Sequence, residues 1–261
     1  MDLTLLQIIL SLASGLVVGF SLGLIGGGGS ILAIPLLIYV VGLSDPHLAI
    51  GTSALAVGAN AFFNVIPHAK KRHVYYAEGG LFTLPGIAGA LSGAELGLLT
   101  PGNELLFAFA FLMIGVAVYM LKRKCLDAAT SPKKDAGKNR TWKIVGMGFL
   151  VGLASGYFGI GGGFLIVPGL IYAAGLNIVE AVGTSLISVG AFGLVTSLRY
   201  ALNGYVIPVI SGLFVLGGIA GGWIGARFAY RVPRRTLSRM FAIIVIAVAI
   251  YMIYVSLPTL P

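Results

Sequence analysis

Polar residues are sparse and bunched along this chain, and the stretches between the bunches are apolar enough and long enough to be helices in a bilayer. The runs fall at 4–25, 30–43, 49–67, 79–99 and 103–121, and again at 144–160, 163–175, 181–198, 205–226 and 240–257. A helix that spans the hydrocarbon core needs about 20 residues. The second run of each set is too short to cross alone, so it is expected to join the run before it as a hairpin or broken helix. Glycines fill both bends: "GLIGGGGSILAIPLL" occupies Gly23–Leu37 and "GYFGIGGGFLIVPGL" occupies Gly156–Leu170.

The two sets match each other. Gly26, Gly28, Gly29, Leu32, Pro35 and Gly42 fall on Gly159, Gly161, Gly162, Leu165, Pro168 and Gly175. After a one-residue slip, "GTSALAVGA" (Gly51–Ala59) falls on "GTSLISVGA" (Gly183–Ala191), and Gly89, Gly93, Ala94 and Pro101 fall on Gly221, Gly225, Ala226 and Pro233. The pattern predicts an all-α polytopic membrane protein of two homologous five-segment halves. They comprise a first membrane repeat (1–121), a basic cytoplasmic linker (122–143) and a second membrane repeat (144–261).

Composition agrees. Only 10% of the 261 residues are charged, where a soluble domain has about 25%, and 58% are hydrophobic. The first apolar run lacks a leading Lys or Arg and a clear cleavage site, so it reads as a membrane segment and not a removed signal peptide. Cys125 is the only cysteine, which excludes a disulfide framework and a cysteine metal site. No cofactor and no metal is expected.

The basic residues behind the formal charge of +9 cluster at Lys70–His73, Lys122–Lys124, Lys133–Lys143 and the group Arg231, Arg234, Arg235 and Arg239. Such loops orient a multispan protein, and nucleic-acid binding is not expected. Their distribution bears on topology. Parallel halves would put the arginine-rich loop opposite the other two basic clusters. Inverted halves put all three inside and leave only Arg199 on the wrong face, so inversion is the favoured arrangement. Inverted repeats with broken helices are a transporter plan, with the substrate site where the breaks meet.

Candidate chemistry starts at those breaks. Gly26, Gly27, Gly28 and Gly29 let the backbone turn, and Ser30 is expected to open a short helix. Gly159, Gly161, Gly162 and Gly163 build the counterpart. Helix-start N–H groups lack intrahelical partners and bind anions without a basic side chain. The competing reading is tight helix packing through small residues. Pro35 and Pro168 would kink the short helices. Thr52, Ser53, Thr184 and Ser185 are placed to cap the third segment of each half and to donate to a ligand. Asn60 and Asn64, at i and i+4, are amides that seek a partner inside a bilayer, either a ligand or another helix; Asn60 is matched by Phe192 in the second half.

Glu95 and Arg227 occupy equivalent places near segment ends, where interfacial anchoring or a mutual ion pair is expected. Arg199 either guides anions or anchors a loop. His47, His68 and His73 lack metal spacing, and the last two are expected as solvated loop residues. No nucleotide loop, serine-hydrolase elbow or zinc-protease motif is present.

At these residues the chain resembles the sulfite exporter TauE/SafE family of membrane permeases. The resemblance is carried by the two glycine–proline stretches and the paired "GTSALAV" and "GTSLISV". It extends to "IPHAKKRHV" with "SLRYALNGYV", and to "GALSGAELG" with "GGWIGARFA". It implies a multi-pass inner-membrane transporter that exports sulfite or small organosulfonates, other members being assigned to carboxylates. One departure is Glu95, where an Arg like Arg227 is common, and this marks Glu95 as a candidate for proton coupling. The reading is therefore a gradient-driven transporter of a small anion, in contact with membrane lipid and able to pair as a homodimer. A passive anion channel is the alternative. An intramembrane enzyme would need a nucleophile, metal ligands or paired carboxylates that the apolar runs do not supply.

Overall fold

The structure is a computed structural model that describes residues 4–122, 138–159, 163–228 and 234–256. Among them lie ten α-helices: α1 (Leu5–Ile25), α2 (Ala33–Tyr39), α3 (Pro46–Lys70), α4 (Tyr76–Leu99), α5 (Gly102–Lys122), α6 (Lys138–Phe158), α7 (Gly163–Ala174), α8 (Ile178–Ala201), α9 (Pro208–Phe228) and α10 (Arg234–Ser256). A 3-10 helix (Gly26–Leu32) joins α1 to α2, and no described residue is in a strand. Five of the helices, α1, α3, α4, α8 and α9, are long and apolar enough to cross a membrane. The chain is a multi-pass helical membrane protein.

Close helix contacts at glycine set the arrangement. Gly15, Gly19 and Gly23 of α1 lie on Phe214, Gly218 and Gly222 of α9, so near that a Cβ would strike backbone. Gly148, Gly152 and Gly156 of α6 lie in the same way on Phe82, Gly86 and Ala90 of α4. Residue numbers rise together in both pairs, so each pair is parallel. Asn60 and Asn64 meet Gly218 and Gly222, which makes α3 parallel to α9 and hence to α1. Gly79 meets Thr184 and Gly86 meets Phe192, so α4 and α8 are also parallel. By contrast, Gly51 meets Tyr200, Gly58 meets Gly193 and Gly183 meets His68, so α3 and α8 are antiparallel.

It follows that α1, α3 and α9 run one way and α4, α6 and α8 the other. Consecutive helices α1 and α3 share a direction only if the chain between them comes back. The 3-10 segment with α2 makes that return, and α7 makes it between α6 and α8. The 3-10 segment packs against α7, and α5 packs against α10. The apolar core is drawn from all these elements, with Ile31, Ala33, Phe82, Ile166, Leu170, Phe192 and Phe214 fully or almost fully buried.

The helix ends have local causes. Asp45 caps α3, its carboxylate accepting from the N–H of His47 at 2.8 Å, with Pro46 at the first helical position. Asn177 caps α8 in a complete capping box with Glu180. The sequence expectation that Thr52, Ser53, Thr184 and Ser185 would be these caps is therefore corrected: both helices begin about one turn before the apolar run, where Asp45 and Asn177 cap them.

Glycines differ in what they do, and this is testable. A leucine at Gly19 or Gly156 must push two helix backbones apart and is expected to cost roughly 1–3 kcal/mol or more. Nothing lies near the missing side chain of Gly115, Gly146 or Gly212 within their helices. Alanine at those three should stabilise by about 0.5–1 kcal/mol each. Thermal unfolding of the detergent-solubilised protein checks both signs.

Candidate functional site

The break after α1 is wound more tightly than the sequence suggests. Gly26, Gly27, Gly28, Gly29 and Ser30 all lie in the 3-10 helix, which passes directly into α2. The expectation that Ser30 opens a helix with free N–H groups is corrected, because 3-10 bonding continues through it. Gly29 lies on Ser21 and Leu22 of α1, where a Cβ would collide, so the glycines allow the returning chain to hug the helix it has left. Ser30 is fully buried. Pro35 is the third residue of α2, just past the change from 3-10 to α geometry, whereas Pro168 is inside α7.

The second break differs in form. Gly159 adopts a positive φ of 66°, a left-handed conformation that glycine takes without penalty, and it packs on Ile50 of α3. Gly161 and Gly162 lie outside the described residues. Gly163 is buried and begins α7. The two breaks are thus brought into one region by the contact of the 3-10 segment with α7.

The hydroxyl pairs hold helices together. Thr52 Oγ1 accepts the N–H of Ile207, at the start of α9, at 3.1 Å, and Ser211 donates its hydroxyl to the Thr52 carbonyl at 3.0 Å. Thr184 Oγ1 accepts the N–H of Tyr75, the residue that precedes α4, at 3.0 Å. Each threonine therefore satisfies a helix-start donor of another helix while keeping its own proton to donate. Ser53 and Ser185 donate back to the carbonyls of Ile50 and Val182, at 2.9 and 2.8 Å. All four are buried.

Asn60 and Asn64 are buried, at 0% and 2% exposure. None of their four amide N and O atoms has a hydrogen-bond partner. They lie over Gly218 and Gly222, the glycines that also receive Gly19 and Gly23 of α1. In the second half Phe192 covers Gly86 in the same manner.

Of the two expectations for Glu95 and Arg227, interfacial anchoring or a mutual ion pair, the ion pair is corrected. Both are near the C-terminal ends of their helices, but α4 and α9 run in opposite directions, which puts the two residues on opposite faces. Glu95 pairs with Arg199 instead, through Nε to Oε1 and Nη2 to Oε2, the second at 2.8 Å. Parallel α4 and α8 bring them level. A carboxylate held by both arms of a guanidinium is poorly placed to carry protons.

His68 is also corrected: it is buried, at 6% exposure, and neither ring nitrogen has a partner. It leans on Gly183 of α8, because α3 continues three residues past the apolar run. His73 returns its N–H to the His68 carbonyl at 3.1 Å.

Four further contacts were not anticipated. Arg140 Nη2 donates to Glu78 at 3.2 Å and to the Ala174 carbonyl at the end of α7 at 2.7 Å. The Tyr75 hydroxyl donates to Glu180 at 2.9 Å, and the carboxylate it binds pushes the phenol's pKa up. Thr83 and Ser188 share a buried hydroxyl bond of 2.7 Å. All four join residues about 30–110 positions apart, so no local pattern signals them, unlike the caps at Asp45 and Asn177. Among the described residues no group of three or more His, Cys, Asp or Glu could hold a metal ion. The arrangement offers neutral donors for binding, with no assembled nucleophile.

Thr52→Val and Thr184→Val should each lower stability by about 1 kcal/mol, as for a lost helix cap, seen as a fall in melting temperature. Exchanging the charges in a Glu95→Arg, Arg199→Glu double variant should recover the melting temperature that either single variant loses.

A family model described as "Sulfite exporter TauE/SafE" matches residues 11–252. A "Probable membrane transporter protein" of Xylella fastidiosa is 47% identical, the match covering 97% of this chain and 98% of that protein. A "Probable membrane transporter protein YunE" of Bacillus subtilis is 27% identical over 92% of this chain and 95% of its own. A "Probable membrane transporter protein" of Haemophilus influenzae is 29% identical over 94% and 97%. No solved structure matches the chain. These relatives are named as probable membrane transporters and not as enzymes. Matched by that model nearly end to end, the chain belongs to the sulfite exporter TauE/SafE family of membrane transporters.

Proposed function

We propose that the protein is a secondary transporter of a small anion, sulfite or a related sulfur oxyanion or organosulfonate, working by alternating access across the inner membrane. The observation that carries the proposal is the contact of the two returning segments, the 3-10 helix and α7, beside the antiparallel pair α3 and α8. Two glycine-rich returns that meet inside a bundle give irregular backbone a protein-lined setting, the condition under which a bilayer tolerates it.

The same geometry supports reading the chain as an inverted repeat. Helix α3 and its sequence counterpart α8 are antiparallel, and so are α1 and its counterpart α6. Partners are exchanged in matching fashion: α1 with α9, α6 with α4. The two crossed pairs, each with one helix from either half, can rock about a site that both halves line.

Orientation follows from charge. The ends of α3 and α9 and the start of α6 bring Lys70, Lys71, Arg72, Arg227, Arg140 and Lys143 to one face. Asp45, Glu95, Glu104 and Arg199 mark the other. The positive-inside rule puts the first face in the cytoplasm. In this reading Gly26, Gly27, Gly28, Gly29, Ser30, Gly159 and Gly163 wall the path, and Thr52, Ser53, Thr184 and Ser185 supply hydroxyls.

Uptake of radiolabelled sulfite into proteoliposomes, with and without a pH gradient, tests the proposal. Saturable, gradient-dependent flux in wild type, falling to background in Gly29→Leu and Gly163→Leu, is the expected result. Flux that neither saturates nor responds to the gradient makes the protein a passive anion channel. Carboxylate flux without sulfite flux moves the substrate to that class.

A further inference from the structure

We propose that Asn60 and Asn64 form a charge-free binding site for a singly charged oxyanion at the junction of α1, α3 and α9. The inference rests on the transporter reading above and adds the place and the charge state of the substrate.

The starting point is an unmet demand. Each amide has two N–H donors and a carbonyl able to accept twice, and here all four polar atoms are buried without a partner. Buried polar groups left unpaired are costly, and in a native protein most are satisfied. At 1.5 Å per residue, Asn60 lies about 3 Å and Asn64 about 9 Å from the middle of α3, far from bulk water. Four residues apart on one helix face, their amides are neighbours and can converge on the oxygens of one small ion.

The surroundings make room for them. Gly218 and Gly222 lack the Cβ that would strike the amides, although the same α9 glycines already accept α1 on another side. In the second half the corresponding place over Gly86 is filled by the ring of Phe192, and Thr196 stands where Asn64 would be. The amide pair therefore has no counterpart in the repeat.

Charge decides what it takes. Among the described residues the buried polar side chains are Ser, Thr, Asn and His, with no Asp, Glu, Lys or Arg. On the three helices that meet here the titratable groups are His47, His68 and Lys70 of α3 and Arg227 of α9, all within one turn of a helix end; α1 has none. The cost of burying an ion rises with the square of its charge, so a dianion costs four times as much as a monoanion. Two neutral amides therefore favour the second strongly over the first. A proton that accompanies transport then enters on the substrate itself, as hydrogensulfite does, and needs no carboxylate in the core.

The test is thermal stabilisation of the purified full-length protein by methanesulfonate, sulfite, sulfate and acetate on both sides of neutral pH, alongside Asn60→Leu, Asn64→Leu and Asn64→Thr. Wild type should respond to methanesulfonate equally at both pH values, to sulfite better on the acid side, and not to sulfate. The near-isosteric leucine variants should melt at or above the wild-type temperature without ligand, because no protein hydrogen bond is lost. Their apparent affinity should fall about tenfold or more. Asn64→Thr, which copies the second half, should keep part of the response.

An undiminished response in the leucine variants, or a sulfate response matching that of methanesulfonate, overturns the inference and leaves the transporter reading intact. Lower melting temperatures with ligand response kept would make the amides structural and also overturn it. A response to acetate alone, lost in the leucine variants, supports the amide site and overturns the sulfur substrate. A wild type that responds to none of the four overturns the site.

Discussion

The absence of a Cβ at the crossings of α1 with α9 and of α4 with α6 is the constraint on which the arrangement depends. At Gly15, Gly19, Gly23, Gly217, Gly221 and Gly225 along one crossing, any side chain would meet a backbone carbonyl of the other helix. In lipid no hydrophobic force drives helices together, so close backbone packing must supply the attraction. The near approach also favours weak Cα–H to carbonyl contacts. Both pairs are parallel, and together with the contacts of α3 to α9 and of α8 to α4 they fix the directions from which the returns before α3 and α8 follow.

The pairing cuts across the sequence repeat. Each tight pair takes one helix from the first half and one from the second, so the bodies that could move against each other are not residues 1–121 and 144–261. α1 with α9, and α4 with α6, are the natural rigid units. Between them stand α3 and α8, fixed to the starts of α9 and α4 by Thr52 and Thr184. Charged contacts sit at the ends: Glu95–Arg199 on one face, Arg140–Glu78 on the other.

Much of this was legible in the residues. Apolar runs, their interruption at two glycine clusters and the placement of basic loops gave the helices, the returns and the family resemblance. What the sequence could not carry was the partner of each buried or charged group. Glu95 and Arg227 looked paired because they match in sequence, yet opposite helix directions separate them. His68 looked solvated because it adjoins Lys70–Arg72, but α3 extends far enough to bury it. The caps were misplaced because Asp45 and Asn177 precede the apolar runs. The glycines at Gly26–Gly29 suggested an open turn, and only the contact with Ser21 and Leu22 explains why they wind into a 3-10 helix.

Exchange of partners between the halves also governs how the chain is made. About 200 residues separate α1 from α9, and ribosomes add roughly 5–20 residues per second. The glycine groove of α1 therefore waits in the membrane for on the order of 10–40 s before the helix that fills it is synthesised. Its fold is one whose first helix finds its tightest partner only after most of the second half has been made, and until that moment the groove of α1 faces lipid or another helix.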